Sequence, residues 1–187
     1  MFFRRKNKEI VELCATLYKL IVKQSRTKEF YLNLKIPDTI DGRFELIILH
    51  FFLLERNLDK EIKKDQLIYK ELLEIIYKDF DMSLREIGVG DLSVGKKIYQ
   101  MTEAFSGRLF AYRKFNNKKN FSSMGITIKK NIYGTINNID AKYIEIIKSY
   151  ITDSMEYIDK SLIYQVSENS SIFIDLNRYI INKEKGI

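Results

Sequence analysis

The chain has 187 residues, a formal charge of +7, eight glycines, one proline and one cysteine. That length suits one ordinary domain with a sizeable core. The scarcity of glycine and cysteine excludes collagen and disulfide scaffolds, and 45% apolar content excludes intrinsic disorder. Cys14 alone supports no intrachain disulfide or multi-cysteine metal site, which fits a reducing compartment.

Isoleucine and lysine far outnumber alanine and arginine, the skew of an AT-rich coding sequence, so the position of charge says more than its sum. Residues 1–35 carry nine basic and three acidic groups, and 109–134 carry six basic and none acidic. Both segments have the sign that anionic lipid or nucleic acid attracts, although solvated lysine faces produce the same pattern.

At the amino terminus, Arg4 and Arg5 resemble a twin-arginine signal. No apolar stretch follows before Glu9 and Glu12, so no targeting segment is expected. Met1, Phe2 and Phe3 before Arg4, Arg5 and Lys6 read as a frayed end rather than a membrane contact. A cytoplasmic location, or a peripheral one at the inner membrane, follows as the expectation. The densest apolar run, Leu46 to Leu54 around His50, is less than half the roughly 20 residues a bilayer span needs.

The first helix is predicted over 7–25, where Ile10, Leu13, Cys14, Leu17 and Ile21 keep helical spacing. Residues 26–40, with Pro37, read as a connection, and Asp38, Thr39 and Asp41 offer helix-starting side chains. A helix over 40–58 sets Phe44, Ile47, Ile48, Phe51, Leu54 and Leu58 on one stripe. Another over 65–87 uses Leu67, Leu72, Ile76, Phe80 and Leu84, then stops at Gly88-Val89-Gly90. Asp91 stands where an N-cap restarts the chain.

The helix over 92–115 is apolar on two sides. Val94, Ile98, Met101, Phe105, Leu109 and Tyr112 form one stripe, and Leu92, Tyr99 and Phe110 lie on nearly the opposite side. Such a helix is either sandwiched in the core or offers an adhesive surface; periodicity alone favours sandwiching. A shorter helix follows over 121–133 and a long one from Asp140 through Leu162. After a loop at Ser167–Ser171, the apolar tail 172–181 is read as helix. No period-two alternation and no repeat is present. The fold expected is all-α: one domain over 1–187, a bundle of about six or seven helices, with an N-terminal helix packed against the main body.

The residue inventory argues against catalysis. Gly90 to Lys96 satisfies G-x-x-x-x-G-K, but a phosphate-binding loop also needs a hydroxyl residue next and a strand before it. Lys97 and a charged helix stand there instead. His50, the only histidine, sits among apolar neighbours and reads as a hydrogen-bonded core residue. Asp79/Asp81 and Glu71/Glu74 differ in helical phase and have no nucleophile beside them. One His and one Cys assemble no hydrolytic triad. No catalytic residue, metal ligand or cofactor site is assigned, no small-molecule substrate is expected, and the chain is read as not an enzyme.

Around the double-glycine turn, Asp79, Asp81, Arg85, Glu86 and Asp91 with Arg43, Lys96 and Arg108 form a charge-rich stretch, readable as capping plus i, i+4 pairs or as a polar surface for a partner. Here the sequence becomes specific. Asp41-Gly-Arg-Phe-Glu-Leu-Ile-Ile-Leu-His50, Leu54-Glu-Arg56 and Asp79-Phe-Asp-Met-Ser-Leu-Arg-Glu-Ile-Gly-Val-Gly-Asp-Leu-Ser-Val-Gly-Lys96 resemble the ubiquinol–cytochrome c chaperone family. Met101, Ala104-Phe105 and Gly107-Arg108 continue the match, and Ser106 departs from it where a Tyr is expected. The likeness covers 38–134 well; 1–37 and 140–187 share only helical character.

The resemblance implies a non-catalytic assembly factor for the ubiquinol–cytochrome c reductase complex, acting on newly made cytochrome b or a similar apolar membrane-protein client, in a short bacterial form. A holder of that kind needs a sheltered apolar groove with a charged rim. The assigned contact residues are Leu92, Tyr99 and Phe110, with Asp81, Arg85, Asp91 and Lys96 at the groove's end. Arg113, Lys114, Lys118, Lys119, Lys129 and Lys130 form a second, basic surface toward the ribosome or an anionic membrane. The alternative is a basic helical module associated with RNA or the ribosome. Against it, lysine dominates and no recognition helix with base-reading side chains is evident.

Overall fold

The structure is a computed structural model that describes residues 8–116 and 121–184. The helices are α1 (Lys8–Ser25), α2 (Lys28–Leu32), α3 (Ile40–Glu55), α4 (Lys63–Glu86), α5 (Asp91–Arg113), α6 (Phe121–Asn131), α7 (Ala141–Tyr157), α8 (Lys160–Tyr164) and α9 (Asn177–Glu184). A 3-10 turn, Lys114–Asn116, closes α5. No strand occurs among the described residues. The all-helical expectation holds as one helical body.

The organising element is α3. Its run Phe44–Glu55 has no polar face to turn to water, and every residue in it is buried. A helix apolar all round must be surrounded. It packs against α1, α5 and α7, while α4 packs along α1 and α5. Thr39 caps α3 by accepting from the Gly42 amide at 3.1 Å, as the sequence suggested. Gly42 is required there, because a Cβ would lie 1.9 Å from the Pro37 carbonyl oxygen.

Three stretches depart from the expected elements. Residues 28–32, read as connection, form α2, whose Phe30 stacks edge-on against His50 and Tyr150. Five residues are too few to display a helical period. The helix expected through Leu162 ends at Tyr157, and α8 restarts after Asp159, whose carboxylate accepts from the Leu162 amide at 3.0 Å. Ile158 stays buried in extended backbone between them. In the tail, Ile172, Phe173, Ile174 and Leu176 are buried without helical structure, and only Asn177–Glu184 is helix.

His50 is a core residue, as its neighbours implied. Its Nδ1 lies 2.7 Å from the Leu46 carbonyl, which can only accept, so the proton sits on Nδ1. The free Nε2 then accepts from the Tyr150 hydroxyl at 2.9 Å, which in turn accepts from Gln24 at 3.1 Å. Complete burial holds the imidazole neutral and pushes its pKa down to about 3. His50→Ala removes a packed ring and takes away the acceptor of the Tyr150 O–H. Urea denaturation is expected to show a loss of about 2–4 kcal/mol, with no separate functional defect in protein that remains folded.

Candidate partner-binding site

The corner between α4 and α5 is built by glycine. Gly88 adopts φ +86°, and two reversed hydrogen bonds close the end of α4: Val89 N–H to Leu84 C=O at 3.0 Å and Gly88 N–H to Arg85 C=O at 2.9 Å. Gly90, not Asp91, is the N-cap of α5. Asp91 is already helical and turns its carboxylate to Arg85, which also grips Asp81 with Nε–Oδ2 at 2.7 Å. Arg85 thus bridges the two helices across the turn. The group is exposed, so water and salt weaken its electrostatic contribution. Gly95 and Lys96 lie in the second turn of α5, where no phosphate-cradling loop forms.

The inner stripe of α5 is as read: Val94, Phe105, Leu109 and Tyr112 are buried, and Ile98 and Met101 are half-buried. The outer line corrects the sandwiched expectation. Leu92 is 102% exposed, Tyr99 62% and Phe110 63%. No described helix packs over them, because α3 and α4 both lie on the inner side. At 1.5 Å per residue, Leu92 and Phe110 stand about 27 Å apart along the axis. The predicted contact residues therefore share one face of a rod and do not enclose a groove. Lys96 lies on the same line and is exposed; Glu103 and Ser106 complete it.

The charged residues grouped by sequence are separated. Asp81, Arg85 and Asp91 meet at the corner, while Arg43 pairs with Asp38 at 2.8 Å. Arg108, nearly five turns down α5, pairs with Glu45 at 2.5 Å. The basic segment also divides. Arg113 is bidentate to Glu55, with Nε–Oε1 2.9 Å and Nη2–Oε2 3.1 Å, so its charge is neutralised in a seam. Lys114 lies over the Phe110 ring at 4.8 Å. Lys129 and Lys130 are exposed beside Ile126 on α6. Lys118 and Lys119, like the Met1–Lys6 segment, lie outside the described residues.

Sequence reasoning missed an apolar cleft of about 190 Å³ lined by Val22 of α1, Arg26 just after it, Phe44 and Ile47 of α3, Leu84 of α4 and Met101 of α5. Met101 points about 200° away from Tyr99 around the helix, so this cleft and the exposed face lie on opposite sides of α5. Its walls come from four separate helices, and no local spacing signals such a convergence. No described helix is long and apolar enough to cross a membrane.

Against known proteins, a family model described as ubiquinol-cytochrome C chaperone matches residues 32–162, extending past the signature region at both ends. The Mus musculus and Homo sapiens proteins named ubiquinol-cytochrome c reductase complex assembly factor 1 are each 20% identical over 146 residues. The match takes 76% of this chain and 48% or 47% of theirs, so the chain spans about half the length of the curated relatives it matches. The crystal structure of the Cbp3 homolog from Brucella abortus is similar with a TM-score of 0.77 and 27% identity, covering 94% of this chain and 96% of that one.

The exposed placement of the outer α5 residues has a direct consequence. Surface substitutions typically change stability by less than about 0.5 kcal/mol each. The double substitution Tyr99→Ser with Phe110→Ser is expected to keep full helicity and to move the melting temperature by less than about 4 °C. A drop several times larger, read by circular dichroism, would show that the two rings pack in the core.

Proposed function

We propose, from the premise that this chain belongs to the ubiquinol–cytochrome C chaperone family, that it is a non-catalytic assembly factor whose outer α5 face holds newly made cytochrome b. The observation that carries this reading is the open line Leu92, Tyr99, Phe110 on a helix whose other side is firmly seated. Large apolar side chains left in water along one line mark an interaction surface. The relatives' names supply the complex, ubiquinol–cytochrome c reductase. Its most apolar class of client is a membrane subunit before insertion.

The geometry suits a reversible hold. Covering three large apolar side chains gains roughly 1.5–3 kcal/mol each. Association itself costs about 4–15 kcal/mol in lost freedom. The two ranges overlap, so these three side chains by themselves supply at most a weak hold, which suits a client that is later released. Gly95, Ser106 and Gly107 flank the line; nothing lies within 4 Å of a Cβ built on either glycine, which leaves room for a second helix to approach closely. Lys96 and Glu103 keep the face hydrated between clients. The charged corner of Asp81, Arg85 and Asp91 sits at one end of the line and offers polar groups to a client's loop.

Capture of newly made cytochrome b by the tagged chain tests the proposal. Wild-type protein is expected to retain the client, and the folded Tyr99→Ser, Phe110→Ser variant to lose at least about nine-tenths of it. Undiminished capture by that variant would remove α5 from the contact. Deletion of the gene is expected to lower cytochrome b and reductase activity together; normal levels of both would contradict the assembly role itself.

A further inference from the structure

α3 contributes two buried carboxylates to its seam with α5, and they are treated differently. Glu55 has both oxygens occupied by Arg113. Glu45, ten residues earlier, gives only Oε1 to Arg108, at 2.5 Å, and its Oε2 is buried with no hydrogen-bond partner. The Glu45 side chain is 4% exposed. It lies at a cleft of about 230 Å³ between the start of α3, α5 and the turn after α6, where Asp41, Arg108, Lys130 and Asn131 also line the wall.

We propose that Glu45 is a proton-accepting strut whose neutral form holds α3 against α5 and whose ionised form loosens that seam. A buried anion with one orphan oxygen lacks half the donors it needs, and the cost of that is large in a poorly polar site. A proton on Oε2 removes the charge while Oε1 continues to accept from Arg108. The bond formed is O–H on Oε2; the proton comes from solvent through the cleft. The surrounding charges favour the anion two to one, Arg108 from α5 and Lys130 from α6 against Asp41 one turn back on α3, so it is burial and the orphan oxygen that favour the proton. Tyr112, further along α5, is buried within reach of the Glu45 charge.

Burial dominates over the lowering effect of Arg108 and pushes the Glu45 carboxyl up to about 7. The folded value therefore exceeds the ordinary one, and the fold binds the proton more tightly than the unfolded chain does. Stability from this group is fully present below the ordinary carboxylate range and is lost as pH rises through about 7. Phe110 follows Arg108 by two residues on the same helix, so the seam lies directly beneath the proposed client face. That link rests on the assembly reading; the titration itself does not, and it is measured without any client.

Carboxyl-carbon NMR on the full chain tests the strut. One glutamate resonance is expected to titrate with a midpoint near 7, to vanish in Glu45→Gln and to shift in Arg108→Lys, which identifies it even if the glutamine variant fails to fold. A midpoint below about 5 for that resonance would overturn the proposal. Hydrogen exchange corrected for intrinsic rates is expected to be several-fold faster across residues 105–113 at pH 8 than at pH 5.5. Equal rates at the two pH values would show that ionisation leaves the seam intact.

Discussion

The fold depends on the burial of α3 from every side. A helix with no solvent face can accept polar side chains only where neighbours supply partners, and α3 carries three within its buried run: Glu45, His50 and Glu55. Arg108 and Arg113 reach across from α5 to the two carboxylates, and Tyr150 reaches from α7 to the imidazole. Removing Arg113 would strand the Glu55 carboxylate in a buried site, at a cost of about 3–5 kcal/mol. The polar contacts therefore fix where α5 and α7 sit, and the apolar stripes fill in between.

The position of α5 follows from that seating. Its inner stripe and its two arginines are committed to α3, and α4 closes the remaining inner side through the Gly88 corner. What is left outward is a straight line of large apolar side chains with small residues beside it. Lys96 and Glu103 are the charges interspersed along it. Under the proposed assembly role, this line would receive a client helix, and its modest area would keep that hold reversible.

Much of this was legible in the sequence, for physical reasons that differ by residue. Thr39, Asp140 and Gly88 act locally, so their roles as caps and corner follow from their neighbours in the chain. His50 was readable because a lone imidazole in an apolar run has to be satisfied internally. The two apolar sides of α5 were also visible, but periodicity cannot tell a covered side from an open one. That depends on which helices arrive, and their arrival is set by pairs such as Glu45–Arg108, 63 residues apart. The short α2 and the break at Ile158–Asp159 escaped because neither spans enough turns to show a period.

Photo-crosslinking from position 99 addresses the account most directly. A light-activated side chain replacing Tyr99 is expected to form an adduct with newly made cytochrome b, as is one replacing Phe110. The same probe at Ile126, equally exposed but on α6, is expected to give none. Adducts of similar yield from all three positions, or from Ile126 alone, would contradict the assignment of α5 as the holding surface.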